Sequence, residues 1–596
     1  MIKLSDYVMG FLATHGVRHV FMLPGGGAMH LDDSLGRCRQ LEYTCFMHEQ
    51  ALAIAAEAYG QHTNRPGVGL VTSGPGGTNT ITGVAAAYID STPVVFLSGQ
   101  AKRPDLKTGT GVRQMGSQEV DIVSLVQPIT KYAVIILHPE EIRYHLEKAW
   151  YLATTGRMGP VWLDFPLDVQ AAMIDETALR GFTPEDPASG LAEITRTAET
   201  IMQRLKIAKR PLMLAGNGVK AAGAQESLLR FASANHIPVL LTWKAIDFLD
   251  CEHPLNFGCP GIMGSRTANF MVQNCDLLLM VGTRLDPSIT AFNAEDFGRH
   301  AYKVMVDIDP AEIRKINGLN WTLVADAGEM LEALNALPPV TNPHREWIDY
   351  GHQLNTRYPM VPESYWQQGP GINLYVFTDQ LFRQLRADDV IVPESAGAAG
   401  EVTYQAMRVK QGQAVKNAAG LGAMGFGLPY AVGACIAHDR KRTVLINGDG
   451  AFQLNIQELE TVARLRLPIK MFIFNNDGYA SIRTTQNKMF GGFHVGSGTD
   501  SGLSMPNLGA IAAAYGLRVE TAASHAELAA VIERVLAGDD PVLCNIQVAA
   551  EQITAPRVQA MKRPDGGMVS KPLEDMWPYL PPEELAANMI AEKDGK

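Results

Sequence analysis

An aspartate between two glycines, Gly448-Asp449-Gly450, and an asparagine pair, Asn475-Asn476, carry the strongest chemical signal in this chain of 596 residues. Asn476 lies 27 residues beyond Asp449. A carboxylate, a side-chain amide oxygen and nearby backbone carbonyls are hard donors that suit Mg2+, which completes its octahedron with phosphate oxygens and water. The glycines allow close backbone approach to a phosphate. Either motif alone reads better as an ordinary turn or loop signal. Together, at this spacing, they favour a metal-bridged diphosphate site.

The flanking pattern supplies the elements that would position them. The apolar run 443–446 ends at the triplet, as a buried parallel strand opening into a phosphate loop does. Residues 451–465 place Phe452, Ile456, Leu459, Val462 and Ala463 at helical spacing with Glu458, Glu460 and Arg464 between them, which predicts one amphipathic helix. A second apolar run, 469–474, closes on the asparagines. A strand-helix-strand unit crosses over right-handedly and makes its strands parallel. Asp449 and Asn476 then meet on the ligand-binding edge of one sheet, at a helix N-terminus that offers free N–H groups to an anion.

Bulk properties narrow the class. A chain of this length that is 46% apolar is expected to fold as several domains. A formal net charge of −11 argues against a nucleic-acid surface. Seven cysteines without a CxxC pair argue against a disulfide frame or zinc site. No stretch reaches membrane-spanning length and the N-terminus lacks a signal pattern, so a soluble cytoplasmic protein is expected. Strand-like runs at 20–23, 69–71 and 94–97, at 211–215 and 277–281, and around the metal motif mark three blocks. The expected organisation is 1–180, 190–340 and 372–550, with a Pro- and Tyr-rich linker at 338–371 and a tail at 551–596.

These motifs resemble those of thiamine diphosphate (ThDP) enzymes of the acetolactate synthase and pyruvate decarboxylase superfamily, and the resemblance covers nearly the whole chain. It implies an α/β fold of three doubly wound parallel-sheet domains: pyrimidine-binding, central Rossmann-like and diphosphate-binding. It further implies that Asp449 and Asn476 bind the metal through side chains and Gly478 through its carbonyl, with Gly448, Gly450, Ala451, Tyr479 and Ala480 around the diphosphate. His48-Glu49-Gln50 opens the small-residue helix pattern ALAIAAEAYG. By resemblance, Glu49 binds N1′ of the aminopyrimidine, so that the 4′-imino group removes the thiazolium C2 proton. Gly420 to Gly425 match G-x-G-x-x-G but follow QAVKNAA rather than an apolar strand, so no dinucleotide fingerprint is read there. The segment resembles the family's GLGTMGFGLP, in which Gly422 would accept from the 4′-amino group and Met424 would hold the bent cofactor. Gln118 matches a glutamine at the substrate end, and His30 stands in a loop, Gly27 to Asp33, that borders the cofactor.

The resemblance also sets the reaction class: decarboxylation of a 2-keto acid such as pyruvate and transfer of the acyl unit to a carbonyl acceptor. Glu49 counts against the tartronate-semialdehyde branch, which lacks this glutamate. No histidine occurs between His62 and His138, which disfavours the simple decarboxylases that protonate through a histidine pair. Thr485 falls where true acetolactate synthases carry a tryptophan, so a roomier and more polar acceptor site is expected. GGGAMH and SKPLEDM segments are similar to those of relatives linked to unusual sugars, giving a keto-sugar nucleotide as the alternative acceptor; a C–C lyase without ligation and a degenerate regulator are further alternatives. Gly258 to Gly264 and Gly282 to Asp286 resemble flavin-contacting segments, so FAD is an optional second cofactor. Because Glu49 and Asp449 would come from different subunits, a homodimer or homotetramer is expected. The tail could fold over the site as a lid.

Overall fold

The computed structural model describes residues 1–184, 190–341, 343–367, 369–549, 552–562 and 565–590. Three parallel sheets form where aliphatic and β-branched residues run without interruption. Pro211–Ala215 and Leu277–Val281 are buried throughout, as strands covered by helices on both faces must be. The first sheet has the hydrogen-bonded order Glu42–Cys45, His19–Met22, Gly67–Val71, Val94–Gln100, Pro160–Pro166, Tyr132–Ile135. Counted along the chain, that order is 2-1-3-4-6-5.

The third sheet repeats it: Ala414–Val415, Val390–Pro393, Thr443–Gly448, Ile469–Asn475, Val542–Gln547, Arg518–Ala522. Between them a five-stranded sheet runs Val239–Leu241, Pro211–Ala215, Leu277–Val281, Tyr302–Asp307, Trp321–Val324. Every pairing in these sheets is parallel. The three-domain doubly wound α/β fold expected from the sequence is therefore observed. In each sheet the order reverses between the first and third strands, and such switch points open a crevice at the strands' carboxyl ends.

The helix Glu49–Thr63 packs on Gly427–Ala437, so the first and third domains share one core that includes Ala51 to Ala56 and Tyr430 to Ala434. Small residues are needed there. A Cβ on Gly433 would run into the Ala55 carbonyl oxygen and lie 2.7 Å from the Ala55 Cα.

Two stretches differ from the sequence expectation. Residues 451–465 form not one helix but Asp449–Phe452, a 3-10 segment Gln453–Glu458 and Leu459–Leu465, with a break at Asn455 (φ −137°, ψ 30°). Polar partners, one within the third domain and two in the first, accompany the break. The Asn455 amide donates to Gly425 O (2.8 Å) and Gln50 Oε1 (3.2 Å), and Glu458 turns inward to accept from the Met47 N–H (3.1 Å). The expected linker contains the helix Arg345–Arg357, anchored by buried Trp347, whose Nε1 donates to Pro211 O (2.9 Å).

The tail is fastened to the helix Arg266–Asn274. Asn269 donates to Leu573 O (2.9 Å), Gln273 to Glu574 (3.0 Å) and Asn274 to Asn588 O (2.8 Å), and Gln559 accepts from Lys488 (3.3 Å). Lys571 and Met576 of the proposed lid segment therefore flank contacts made with the middle domain. Among the described residues no helix is long and apolar enough to cross a membrane.

Candidate active site

At the third domain's switch point Asp449 follows the strand Thr443–Gly448 and is 1% exposed. Its Oδ1 accepts from the Gly450 N–H (2.8 Å), and its Oδ2 accepts from the N–H groups of Asn476 (3.1 Å) and Gly478 (3.2 Å). One carboxylate thus stitches together the two loops that the sequence placed on one sheet edge. Burial raises its pKa, and these N–H groups pull it back. The Asn476 Oδ1 is buried and has no hydrogen-bond partner among the described residues. An orphaned hard acceptor beside a buried carboxylate fits an oxygen-loving divalent cation.

The loop conformation follows from local contacts. Gly478 has φ +130°, and a Cβ there would lie 2.6 Å from Ser497 O, so only glycine fits. A Cβ on Gly450 would lie 2.5 Å from the Tyr479 ring, whereas one on Gly448 would meet nothing within 4 Å, leaving open space above that peptide. Ala451 is buried in the short helix, and Ala480 begins Ala480–Met489, whose N-terminal N–H groups face this loop's end. Arg483, which sequence reasoning passed over, clamps the loop from outside. Its guanidinium donates to the carbonyls of Asn476 (2.5 Å), Asp477 (3.1 Å) and Ser497 (2.8 Å).

The segment 416–426 lies on the same edge, with Gly422 at φ +63° and Met424 43% exposed. A methionine that merely filled a core would be buried, so Met424 is left free to contact something outside its own domain. The loop after Val390–Pro393 was not read from the sequence, and its only cue is a strand end at a switch point. There buried Glu394 accepts from the N–H of Ser395 (2.9 Å) and Gly427 (3.0 Å), and burial pushes its pKa up to about 7.

A second half-site forms at the first domain's switch point. Glu49 is the first residue of its helix, His48 caps that helix by accepting from the Gln50 N–H (3.1 Å), and Asn79 donates to Glu49 Oε2 (3.0 Å). Asn79 is a partner the sequence did not assign. The Gly27 N–H donates to Thr72 Oγ1 (3.0 Å), joining the glycine-rich stretches 24–27 and 72–77 that follow the strands His19–Met22 and Gly67–Val71. Gln118 is exposed at φ +57°, with its backbone carbonyl against Gly74. His30 sits half-buried in the first turn of Met29–Arg37. Among the described residues no hydrogen bond or ion pair joins Glu49 to Asp449. Exposed apolar side chains border both half-sites: Met29, Met47, Met424, Leu454 and Ile482.

The middle domain's switch point opens into a cavity of about 870 Å3 that reaches the other two domains. Gly216, Gly218 and Gly282 form its base, and a Cβ on Gly218 would lie 2.7 Å from the Gly282 Cα. Ile262, Arg284, Asp307 and Arg157 line it further. Burial pushes the Asp307 carboxyl up to about 6. Lys244 and Asp90 close one end with an ion pair of 2.7 Å.

Comparison with known proteins decides the family. Residues 2–125 match the description "Thiamine pyrophosphate enzyme, N-terminal TPP binding domain", residues 198–334 the central domain, and residues 395–546 the C-terminal TPP binding domain. The chain belongs to the thiamine pyrophosphate enzyme family. Within that family it is 31% identical over 590 residues to the acetolactate synthase isozyme 2 large subunit of Escherichia coli K12, covering 98% of this chain and 99% of that one. It is 31% identical over 582 residues to acetolactate synthase 2, chloroplastic, of Zea mays, covering 95% and 88%. It is 32% identical over 566 residues to a probable acetolactate synthase large subunit of Methanocaldococcus jannaschii, covering 92% of each. The thiamine pyrophosphate enzyme assignment fits both half-sites, one bearing a helix-opening glutamate and the other a buried aspartate beside an orphaned amide oxygen.

Proposed function

We propose that this thiamine pyrophosphate enzyme is a Mg2+-dependent carboligase that decarboxylates a 2-keto acid, pyruvate foremost, and transfers the acyl unit to a carbonyl acceptor. The observation that carries the reading is the unpartnered, buried Asn476 Oδ1 beside Asp449. Asp449, Asn476 and the Gly478 carbonyl would hold the metal, with Gly448, Gly450, Ala451, Tyr479 and Ala480 around the diphosphate. When bound, the thiazolium supplies an electron sink for cleavage and formation of the bond next to a carbonyl. Glu49 would hold a proton toward the aminopyrimidine, and Asn79 fixes its carboxylate through Oε2. Gly422 and Met424 would orient that ring, and Gln118 and His30 would border the substrate.

The two half-sites and their exposed apolar rims support a homodimer or homotetramer in which Glu49 of one chain meets Asp449 of another. The domain limits 1–180, 190–340 and 372–550 follow the three sheets. The 870 Å3 cavity supports FAD as a second, structural ligand of the middle domain, because Pro260, Ile262, Gly282 and Asp286 from both flavin-like segments line it. Thr485 is exposed, with its hydroxyl on Ser481 O (3.1 Å), which supports a polar acceptor such as a keto-sugar nucleotide as the second reading.

The test is incubation with ThDP, Mg2+ and pyruvate, alone and with 2-keto acid or keto-sugar acceptors, following carbon dioxide and product mass. Ligated products are expected; carbon dioxide with acetaldehyde alone would refute carboligation. An absorbance band in the flavin region of the purified protein tests the FAD assignment.

A further inference from the structure

Four neighbouring strands of the third domain, Val390–Pro393, Thr443–Gly448, Ile469–Asn475 and Val542–Gln547, begin side by side on the sheet edge opposite Asp449. The turns leading into them wall a hollow of about 330 Å3. Five cations line it: Arg386, Arg440, Lys441, Arg442 and Arg466. Arg442 is occupied, since its guanidinium grips the buried Asp389 carboxylate through two bonds of 2.7 and 2.6 Å. The other four are exposed, and none makes a side-chain hydrogen bond or ion pair among the described residues. Of the three carboxylates that line the hollow, Asp389 is held by Arg442, which leaves Asp388 and Asp539 to oppose them. Behind the wall, buried Lys470 adds a further cation whose ammonium rests on the carbonyls of Asp540 (2.6 Å) and Ala537 (3.4 Å) rather than on a carboxylate.

Backbone strain marks the same residues. Arg440 has φ +59° and Arg466, which ends the helix Leu459–Leu465, has φ +47°. Glycine is the favoured residue in this left-handed region, and it would relieve both the strain and the repulsion between unpaired cations. Retaining arginine at two such positions, on one hollow of a chain whose net charge is −11, destabilises the free protein. A bound anion would offset both effects.

We propose that this hollow is a binding site for a compact polyphosphate, such as a nucleoside triphosphate or tripolyphosphate, separate from the cofactor site on the opposite edge of the same sheet. Arginine forks bind phosphate oxygens in pairs, and four free cations match two or three phosphate groups rather than one carboxylate. The small concave volume and the acidic rim of Asp388 and Asp539 oppose a long polyanion such as a nucleic acid.

Calorimetric titration of the full chain, saturated with ThDP and held at fixed free Mg2+, tests this with tripolyphosphate, ATP and sulfate. One saturable site per chain is expected for the first two, weakening as salt is raised, with sulfate at least tenfold weaker. Equal affinity for tripolyphosphate and ATP means that the phosphates alone are read, and tighter ATP means that the nucleoside is read as well. The double variant Arg440→Gly, Arg466→Gly is expected to lose at least tenfold in affinity while its melting temperature holds or rises. Arg386→Gln with Lys441→Gln, which leaves those strained positions untouched, must weaken binding similarly and carries the test if the glycine variant misfolds. Absence of saturation by about 10 mM, or unchanged affinity in these variants, would overturn the proposal.

Discussion

Replacing Arg483 with methionine removes the clamp on the loop 476–478 while leaving the proposed metal ligands themselves in place. Its guanidinium makes three hydrogen bonds to carbonyls, of Asn476, Asp477 and Ser497. Charge-assisted bonds contribute about 1.5–3 kcal/mol each when buried, but the Arg483 region is part-exposed and water replaces much of that. A net loss of about 1.5–3 kcal/mol is therefore expected, which is roughly 10- to 100-fold in metal affinity, because the freed loop must be ordered again on binding. The following helix Ala480–Met489 buries no residue, so apolar packing cannot hold the loop in its place. Arg483→Lys keeps the charge without the planar fork and should fall between wild type and methionine. The assay is Mn2+ titration by electron paramagnetic resonance with ThDP present, beside a calorimetric melt. Metal affinity should fall while the main melting transition stays put. Affinity within twofold of wild type in Arg483→Met would show that the three contacts do not position the loop.

Glu49→Gln keeps the bond to Asn79 within reach but removes the acid, so turnover should fall by at least 10²-fold with ThDP affinity nearly retained; a near-wild-type rate disproves its role as proton holder. Asp449→Ala removes the acceptor of three N–H bonds and a proposed metal ligand together, and ThDP should be lost on gel filtration; a protein that keeps its cofactor would argue against this anchor. Gly433→Ala forces a Cβ into the Ala55 backbone and should lower the first unfolding midpoint by an amount matching about 1–3 kcal/mol, an effect absent if the two helices can separate without cost. Burial raises the Glu458 carboxyl to about 7 from 4.5. A raised carboxyl favours the folded state fully below the unfolded pKa, and that stability is lost as pH rises through about 7. Glu458→Gln should abolish roughly 3 kcal/mol of pH-dependent stability between pH 4.5 and 7, read by urea unfolding; an unchanged slope would place Glu458 in solvent.

Much of the geometry around the proposed metal site was legible in the sequence because its parts are local. Two apolar runs bracketing a crossover bring Asp449 and Asn476 to one edge whatever the rest of the chain does, and the positive φ of Gly478 agrees with a glycine placed at a tight turn. Glu49 was readable as a helix-opening acid for the same reason. The break at Asn455 was not readable, because a period-matched helix gives way there to polar partners, Gly425 and Gln50, that lie far away in sequence. Glu458 looked like part of an outward polar stripe and is buried, since its carboxylate serves the Met47 N–H of another domain.

The sequence by itself determined the strands that flank Asp449, the parallel sheets and the chemical character of the candidate ligating groups, because periodicity and side-chain chemistry are properties of short segments. The tertiary structure alone decided which glycines face a neighbouring backbone, that Asn476 Oδ1 has no partner among the described residues, and that Arg483 locks the loop. It also decided that three helix-to-strand turns gather unpaired cations on the far edge. Each of those depends on atoms remote in the chain arriving within a few ångströms of one another, which only the packed fold can arrange.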